Sequence, residues 1–287
     1  MERFSFHVAP VPGFYPDGLG AGWSLDPGGQ RVRLRWGQIA DVVKVDVRYQ
    51  GASPPGDVYT ETDPNLYNWD HREEVTIHGA VGHYYEQHNM YGIGAFRALV
   101  AWEYAPSSWA YVSTYSDRMD PGPGRLRSAL TQVARAVNPG GEPVRLPVRV
   151  DSLPSSSPPR SKVLGVSMTM GSGWQPRLDF GHMTLEVAPG GVPPTCEGYD
   201  GSHVETFTYR GHPGCVNGSD STGPGGKAFN TVWAVALQRK DTVRTATRDG
   251  QGPEFPIDGL KEMLDELTIA PLDDPSTWFD LRAALGN

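Results

Sequence analysis

The densest group of chemistry-bearing side chains is a run of histidines. His71, His78, His83 and His88 are four of the eight in the chain and fall within 18 residues. Imidazole is the commonest protein metal ligand, so His78, His83 and His88 form the candidate set for a zinc or copper ion. Their spacing works against a ready-made site. His78 and His83 are five apart across a glycine turn, and no pair sits two apart on a strand or four apart on a helix. Exposed histidines on a hairpin are the expectation. A second group mixes acids with rings: Asp63, Asp70, Glu73 and Glu74 surround Tyr67 and Trp69. A loop of that composition suits a cation or a sugar. Tyr67, Trp69, Asp70 and Glu73, with Trp102 and Trp109, are therefore the candidate ligand-binding residues. The simpler reading is that these aromatics pack on a sheet edge.

Catalytic motifs are missing. Ser24, Ser107, Ser152 and Ser172 lie in no Gly-x-Ser-x-Gly setting. The run Gly165 to Gly171 lacks the Lys-Ser/Thr ending of a phosphate loop and reads as a strand, with Met168 and Met170 on one core face. No catalytic residue and no cofactor is assigned. The chain has two cysteines, Cys196 and Cys215, with 18 residues between them in a Gly-, Pro- and Ser-rich stretch. A disulfide joining them would stabilise by about 3 kcal/mol through loop entropy. It would also favour an oxidising compartment. Asn217-Gly218-Ser219 matches a glycosylation sequon.

The elements that would position these residues are mostly strands. Gly and Pro number 35 and 26 in 287 residues, which suits short strands and many turns. Net charge is −8, which disfavours nucleic acid as a partner. No apolar run reaches the length of a membrane helix, so no direct insertion is expected. The opening Phe4-Ser5-Phe6-His7-Val8 alternates like a strand rather than a signal peptide. We expect an anchor ahead of it.

Five segments recur in order. Phe6–Pro12 matches Val148–Pro154, and Arg33–Gly37 matches Arg177–Gly181. Val75–Gly82 matches Phe207–Gly214, and Phe96–Trp102 matches Phe229–Val235. Leu126, Leu130, Val133 and Val137 match Leu260, Leu264, Leu267 and Ile269. The offset falls from 144 to 132 between residues 37 and 75, which places an insertion near 46–74 in the first copy. Gly51–Asp57 is its Pro/Gly-rich candidate. The reading is a tandem duplication, residues 1–141 and 142–287. Each copy has a hairpin at a Gly-x-x-Gly turn and, in the first, another at Ala105-Pro106-Ser107-Ser108. Each closes with a helix, over 125–137 and 258–269. The spacing 126, 130, 133, 137 makes one helical face. A further short helix is expected over 277–285. The fold class expected is α+β: two tandem repeats of an antiparallel β-sheet packed on a C-terminal helix.

Phe96 to Thr114, with Pro106-Ser107-Ser108-Trp109-Ala110-Tyr111-Val112, the helix Leu130 to Val137 and the restart Pro143 to Val150 followed by Leu153-Pro154 carry a resemblance. They resemble the duplicated extracytoplasmic domain of actinobacterial membrane-anchored, anti-sigma-factor-like proteins. The resemblance implies a secreted or membrane-tethered sensor, binding an unknown small molecule or protein without catalysis. It carries over no catalytic residue and no sigma-factor contact. The alternative class is a small enzyme of duplicated barrel-like fold, acting on a small apolar molecule in a pocket between sheet and helix. A deep pocket with convergent polar groups of shifted pKa would mark that enzyme.

Overall fold

A computed structural model describes residues 6–15, 22–36, 42–49, 69–90, 95–116, 123–152, 165–170, 174–180, 183–190, 202–222, 228–238, 241–247 and 257–284. The chain divides into two compact units, Arg3–Glu142, and Pro143–Asn287 with Met1–Glu2.

The first unit contains β1 (Phe6–Val8), β2 (Phe14–Tyr15), β3 (Gly22–Asp26), β4 (Gly29–Trp36), β5 (Val42–Arg48), β6 (His71–Ile77), β7 (Ala80–Met90), β8 (Ala95–Ala105) and β9 (Ser108–Ser116). Helix α1 (Pro123–Ala136) and strand β10 (Val137–Pro139) follow. The ladder order is β3-β4-β5-β9-β8-β7-β6, antiparallel throughout, with β2 beside β4. Side chains alternate faces along each strand. Val43, Val45 and Val47 therefore share the inner face with Phe96, Ala98, Val100 and Trp102, and with Ala110 and Val112. Helix α1 lies on that face against β6, β8 and β9. Its Leu126, Leu130 and Val133 are fully buried. Proline at its first position sits where no intrahelical donor is needed.

The second unit contains β11 (Arg145–Leu146), β12 (Val148–Val150), β13 (Gly165–Met170), β14 (Trp174–Asp179), β15 (Met183–Pro189), β16 (Ser202–Tyr209), β17 (His212–Thr222), β18 (Ala228–Gln238) and β19 (Asp241–Thr247). Helix α2 (Ile257–Glu266), β20 (Leu267–Ile269), a 3-10 turn (Pro275–Thr277), β21 (Phe279–Asp280) and α3 (Leu281–Ala284) complete it. Its ladder runs β16-β17-β18-β19-β15-β14-β13. Met168 is buried in its core, as are Leu178, Leu185, Met263 and Leu264. The side chain of Met170 lies outside the described residues.

The α+β class, with a sheet packed on a C-terminal helix and repeated in tandem, is corrected. The molecule is mostly β. Its two longer helices have 14 and 10 residues, against 21 strands among the described residues. Neither of the two helices closes its unit. β10 returns from α1 to pair with β1, and β20 returns from α2 to pair with β12. The reason is local: β-branched Val137 and Ile269 and the ring of Pro139 favour extended backbone where the spacing of apolar residues continues the helical face. The small β11–β21 sheet has no described counterpart in the first unit. Of the segment 277–285, the described residues 277–284 hold the end of a turn, a two-residue strand and one helical turn rather than a continuous helix.

The Gly-x-x-Gly hairpins differ from expectation in an informative way. The turn is the residue pair His78-Gly79, both with positive φ (51° and 82°), and Gly82 lies inside β7. This is the two-residue mirror-image turn that matches strand twist. Gly82 serves packing instead: a Cβ there would meet Ala101 O at 3.0 Å and Trp102 Cβ at 3.1 Å. Leu130, wholly buried between α1 and the sheet, gives the direct test of the core. Leu130→Ala should destabilise the protein by about 3 kcal/mol in urea denaturation followed by circular dichroism, with the far-ultraviolet spectrum unchanged.

Candidate functional site

The sequence-derived candidates do not converge. Trp102 is 3 % exposed on the inner face, because it shares parity with Val100 and Ala98. Trp109 lies on the outer face, opposite Glu103 at the Ser107 end of the β8–β9 hairpin, stacked on Tyr111 at 6.4 Å. Trp69 lies on the outer face at the other end. Its ring is 5.4 Å from that of Tyr85, and the Arg97 guanidinium sits 4.6 Å above it. Asp70 accepts a hydrogen bond from the His88 amide at 2.7 Å, and its own amide donates to Glu86 O. That clamp fixes the entry into β6. Tyr67, Cys196 and the Gly51–Asp57 stretch lie outside the described residues. Cys215 is buried and disulfide-bonded.

The histidines also separate. His78 Nε2 donates to Val137 O at 2.8 Å, tying the hairpin turn to the end of α1. His83 faces outward beside Tyr85, His88 lies 3.5 Å from Glu86, and His71 bonds Glu73 at 3.4 Å. Glu86 in turn accepts from the buried Tyr84 hydroxyl. Among the described residues no three His, Cys, Asp or Glu side chains are gathered where they could hold a metal ion.

What the fold does build is a half-open groove of about 420 Å³ between β6 and α1. Glu74, Val75 and Thr76 form one wall, and Arg127, Ser128, Thr131, Gln132 and Arg135 the other. That volume falls within the range of small-ligand sites. β6 ends the ladder of its unit, so its second edge has no partner strand among the described residues. The two-residue turn settles which groups that edge presents. Ile77 and Ala80 flank the turn and form a hydrogen-bonded pair, so Val75 and Glu73 also bond to β7. The amides and carbonyls of Glu74 and Thr76 then point the opposite way, into the groove. The one described contact there agrees: Arg135 Nε donates to Thr76 O at 3.3 Å.

The helical wall is cationic. Arg125, Arg127 and Arg135 are its only charged residues, in a chain of net charge −8. Arg127 pairs with Glu73 at 2.5 Å on the inner face. Thr131, at 8 % exposure, has a buried Oγ1 with no hydrogen-bond partner among the described residues. A buried hydroxyl without a partner costs free energy, so it marks a place where a bound group gains. No motif announces this groove, since it is made from backbone edge groups and from residues about 55 positions apart. The available signal was the acid-free, Arg-bearing helix in an acidic chain.

The second unit differs at the corresponding edge. The end of β16 is tied to α2 by Tyr209, which donates to Asp265, and the turn after it by Arg210, 2.5 Å from the same carboxylate. Helix α2 carries Asp258, Glu262, Asp265 and Glu266 with one Lys261. The cationic groove belongs to the first unit.

The phenols whose pKa is displaced lie off the groove. Burial raises Tyr104 and pushes Tyr111 up to about 12, with Asp46 raising it further and Arg48 opposing. Burial and then the bond to Asp265 push Tyr209 to about 12.

No known protein family matches the chain, and no curated protein matches it. Among solved structures, the Pseudomonas aeruginosa MucA/MucB complex aligns at 10 % identity, over 88 % of this chain and 93 % of that one, with a TM-score of 0.21. MucB bound to MucA(peri) gives the same figures. The di-domain ARO/CYC StfQ of steffimycin biosynthesis aligns at 12 % identity over 85 % and 82 %, with a TM-score of 0.14. Likeness at these scores carries no argument about fold or function.

The tyrosines yield a pH prediction. Their folded pKa lies above the ordinary value of 10, so their contribution to stability is fully present below pH 10 and is lost as pH rises towards 12. The Tm measured by circular dichroism should fall across that window. Tyr111→Phe should fall less steeply than wild type.

Proposed function

We propose that this protein is a non-catalytic, extracytoplasmic binding module that takes a partner along the groove between β6 and α1. One observation carries the reading: a strand edge with no partner strand among the described residues borders a groove whose opposite wall holds two guanidinium groups and a buried hydroxyl with no hydrogen-bond partner among those residues. Native proteins usually blunt or cover such an edge. An edge beside a shaped groove is instead a template for a bound chain.

The compartment rests on different support. Cys215 is disulfide-bonded, and structural disulfides persist in oxidising surroundings. The resemblance of residues 96–114, 130–137 and 143–154 to outer regions of membrane-anchored, anti-sigma-factor-like proteins points the same way. No helix among the described residues is long and apolar enough to cross a membrane. Tethering is accordingly proposed through a separate segment.

The test is selection of dodecapeptides from a phage library on the intact chain. Selected peptides should lose binding at least tenfold to Ser128→Trp, which fills the groove from an exposed helical position, as measured by fluorescence anisotropy. Peptides that bind wild type and Ser128→Trp equally well would refute the reading.

A further inference from the structure

Resting on that reading, we infer that the occupant is an extended segment of a partner protein, with acidic side chains at every second position, which joins β6 as an added strand. The argument starts from the backbone. Glu74 and Thr76 offer their amides and carbonyls to the groove, spaced as one strand offers them to the next. Only an extended chain matches that spacing over several residues. A helix would leave those groups unpaired.

The side chains of an added strand must alternate between the two faces of the sheet. Those on the inner face meet α1: Ser128, Thr131, Arg127 and Arg135. Those on the outer face meet the row that holds Arg72, Glu74 and Thr76. The two environments ask for different partners. The α1 side presents Arg135, the Glu73-paired Arg127 and two hydroxyls, with no carboxylate on the helix itself, so carboxylates fit beside Arg135 and the remaining N–H groups of Arg127. The outer side presents both signs, so short neutral polar residues fit.

Arg135 acts as the latch. Its guanidinium now caps Thr76 O, the acceptor that an incoming amide needs. Strand addition replaces that contact with a backbone hydrogen bond and turns the guanidinium to the partner's carboxylate. Arg127 keeps Glu73 and offers its remaining N–H groups. Thr131 Oγ1, which has no hydrogen-bond partner among the described residues, gains one.

The experiment uses the intact chain and fluorescein-labelled octapeptides in anisotropy titrations at low and high salt. The probes are alternating Thr-Glu, alternating Thr-Gln, alternating Thr-Lys, and a block peptide of four Thr followed by four Glu. The alternating Thr-Glu peptide should bind at least tenfold tighter than the others, and salt should weaken it. Two variants separate backbone from charge. Glu74→Pro removes an edge donor without touching the β6–β7 ladder, because that amide points away from β7. Arg127→Gln with Arg135→Gln, both at exposed positions, removes the cations. Each should cost the Thr-Glu peptide tenfold or more while circular dichroism stays native. Equal binding of the Thr-Lys or block peptide, no binding of any octapeptide, or full affinity in the folded Glu74→Pro protein overturns the inference. If it fails while Ser128→Trp still abolishes the selected dodecapeptides, the groove remains the binding site and only its occupant was misjudged. If Ser128→Trp leaves those peptides untouched, the groove reading itself has failed.

Discussion

A two-residue turn decides the direction of every backbone group in β6. His78 and Gly79 both adopt positive φ, and that geometry makes the flanking Ile77–Ala80 pair hydrogen-bonded. Alternation then propagates along the strand: odd residues bond to β7 and even ones face away. His78 is doubly committed, since its ring also reaches Val137 O where α1 gives way to β10. The same residue sets the register of the strand edge and ties the hairpin to the chain just past the helix across from it.

The walls of the groove are held by forces that differ in kind. β6 is fixed through Val75 and Ile77, which are buried in the sheet–helix core with Leu126, Leu130 and Val133. The wall spacing follows from that apolar packing, which is close to crystalline in density and resists small displacements. The polar groups add little to stability, as exposed ion pairs such as Arg127–Glu73 contribute at most about 1 kcal/mol. In the binding role proposed above they supply selectivity, because an occupant must satisfy an edge of amides, a buried hydroxyl and two guanidinium groups at once. In the second unit the carboxylate of Asp265 accepts from Tyr209 and Arg210, linking α2 to the end of β16 and the turn after it.

Much of the frame was legible in the residues. The 126, 130, 133, 137 spacing marked the buried face of α1 within two residues of its bounds, and Ala105 to Ser108 marked the β8–β9 turn. The class was misread because α1 and α2 each give way to a three-residue strand, a switch that periodicity alone does not show. The candidate site residues do not gather in one place for a related reason. Aromatics and imidazoles are conspicuous, but parity sends Trp102 into the core beside Val100, and the histidines to separate partners. Alternation along Phe96-Arg97-Ala98-Leu99-Val100-Ala101-Trp102 already contained the first fact. The groove stayed invisible because its donors and acceptors are peptide groups, identical at every residue, and because Thr131 and Thr76 meet only through the fold.

Residue-resolved hydrogen exchange on the intact free protein tests the exposed edge most directly. The amides of Glu74 and Thr76 should exchange rapidly, while those of Glu73, Val75 and Ile77 remain protected. Uniform protection from Glu73 to Ile77 would show that another strand already covers β6, and the binding groove would not exist in the native molecule.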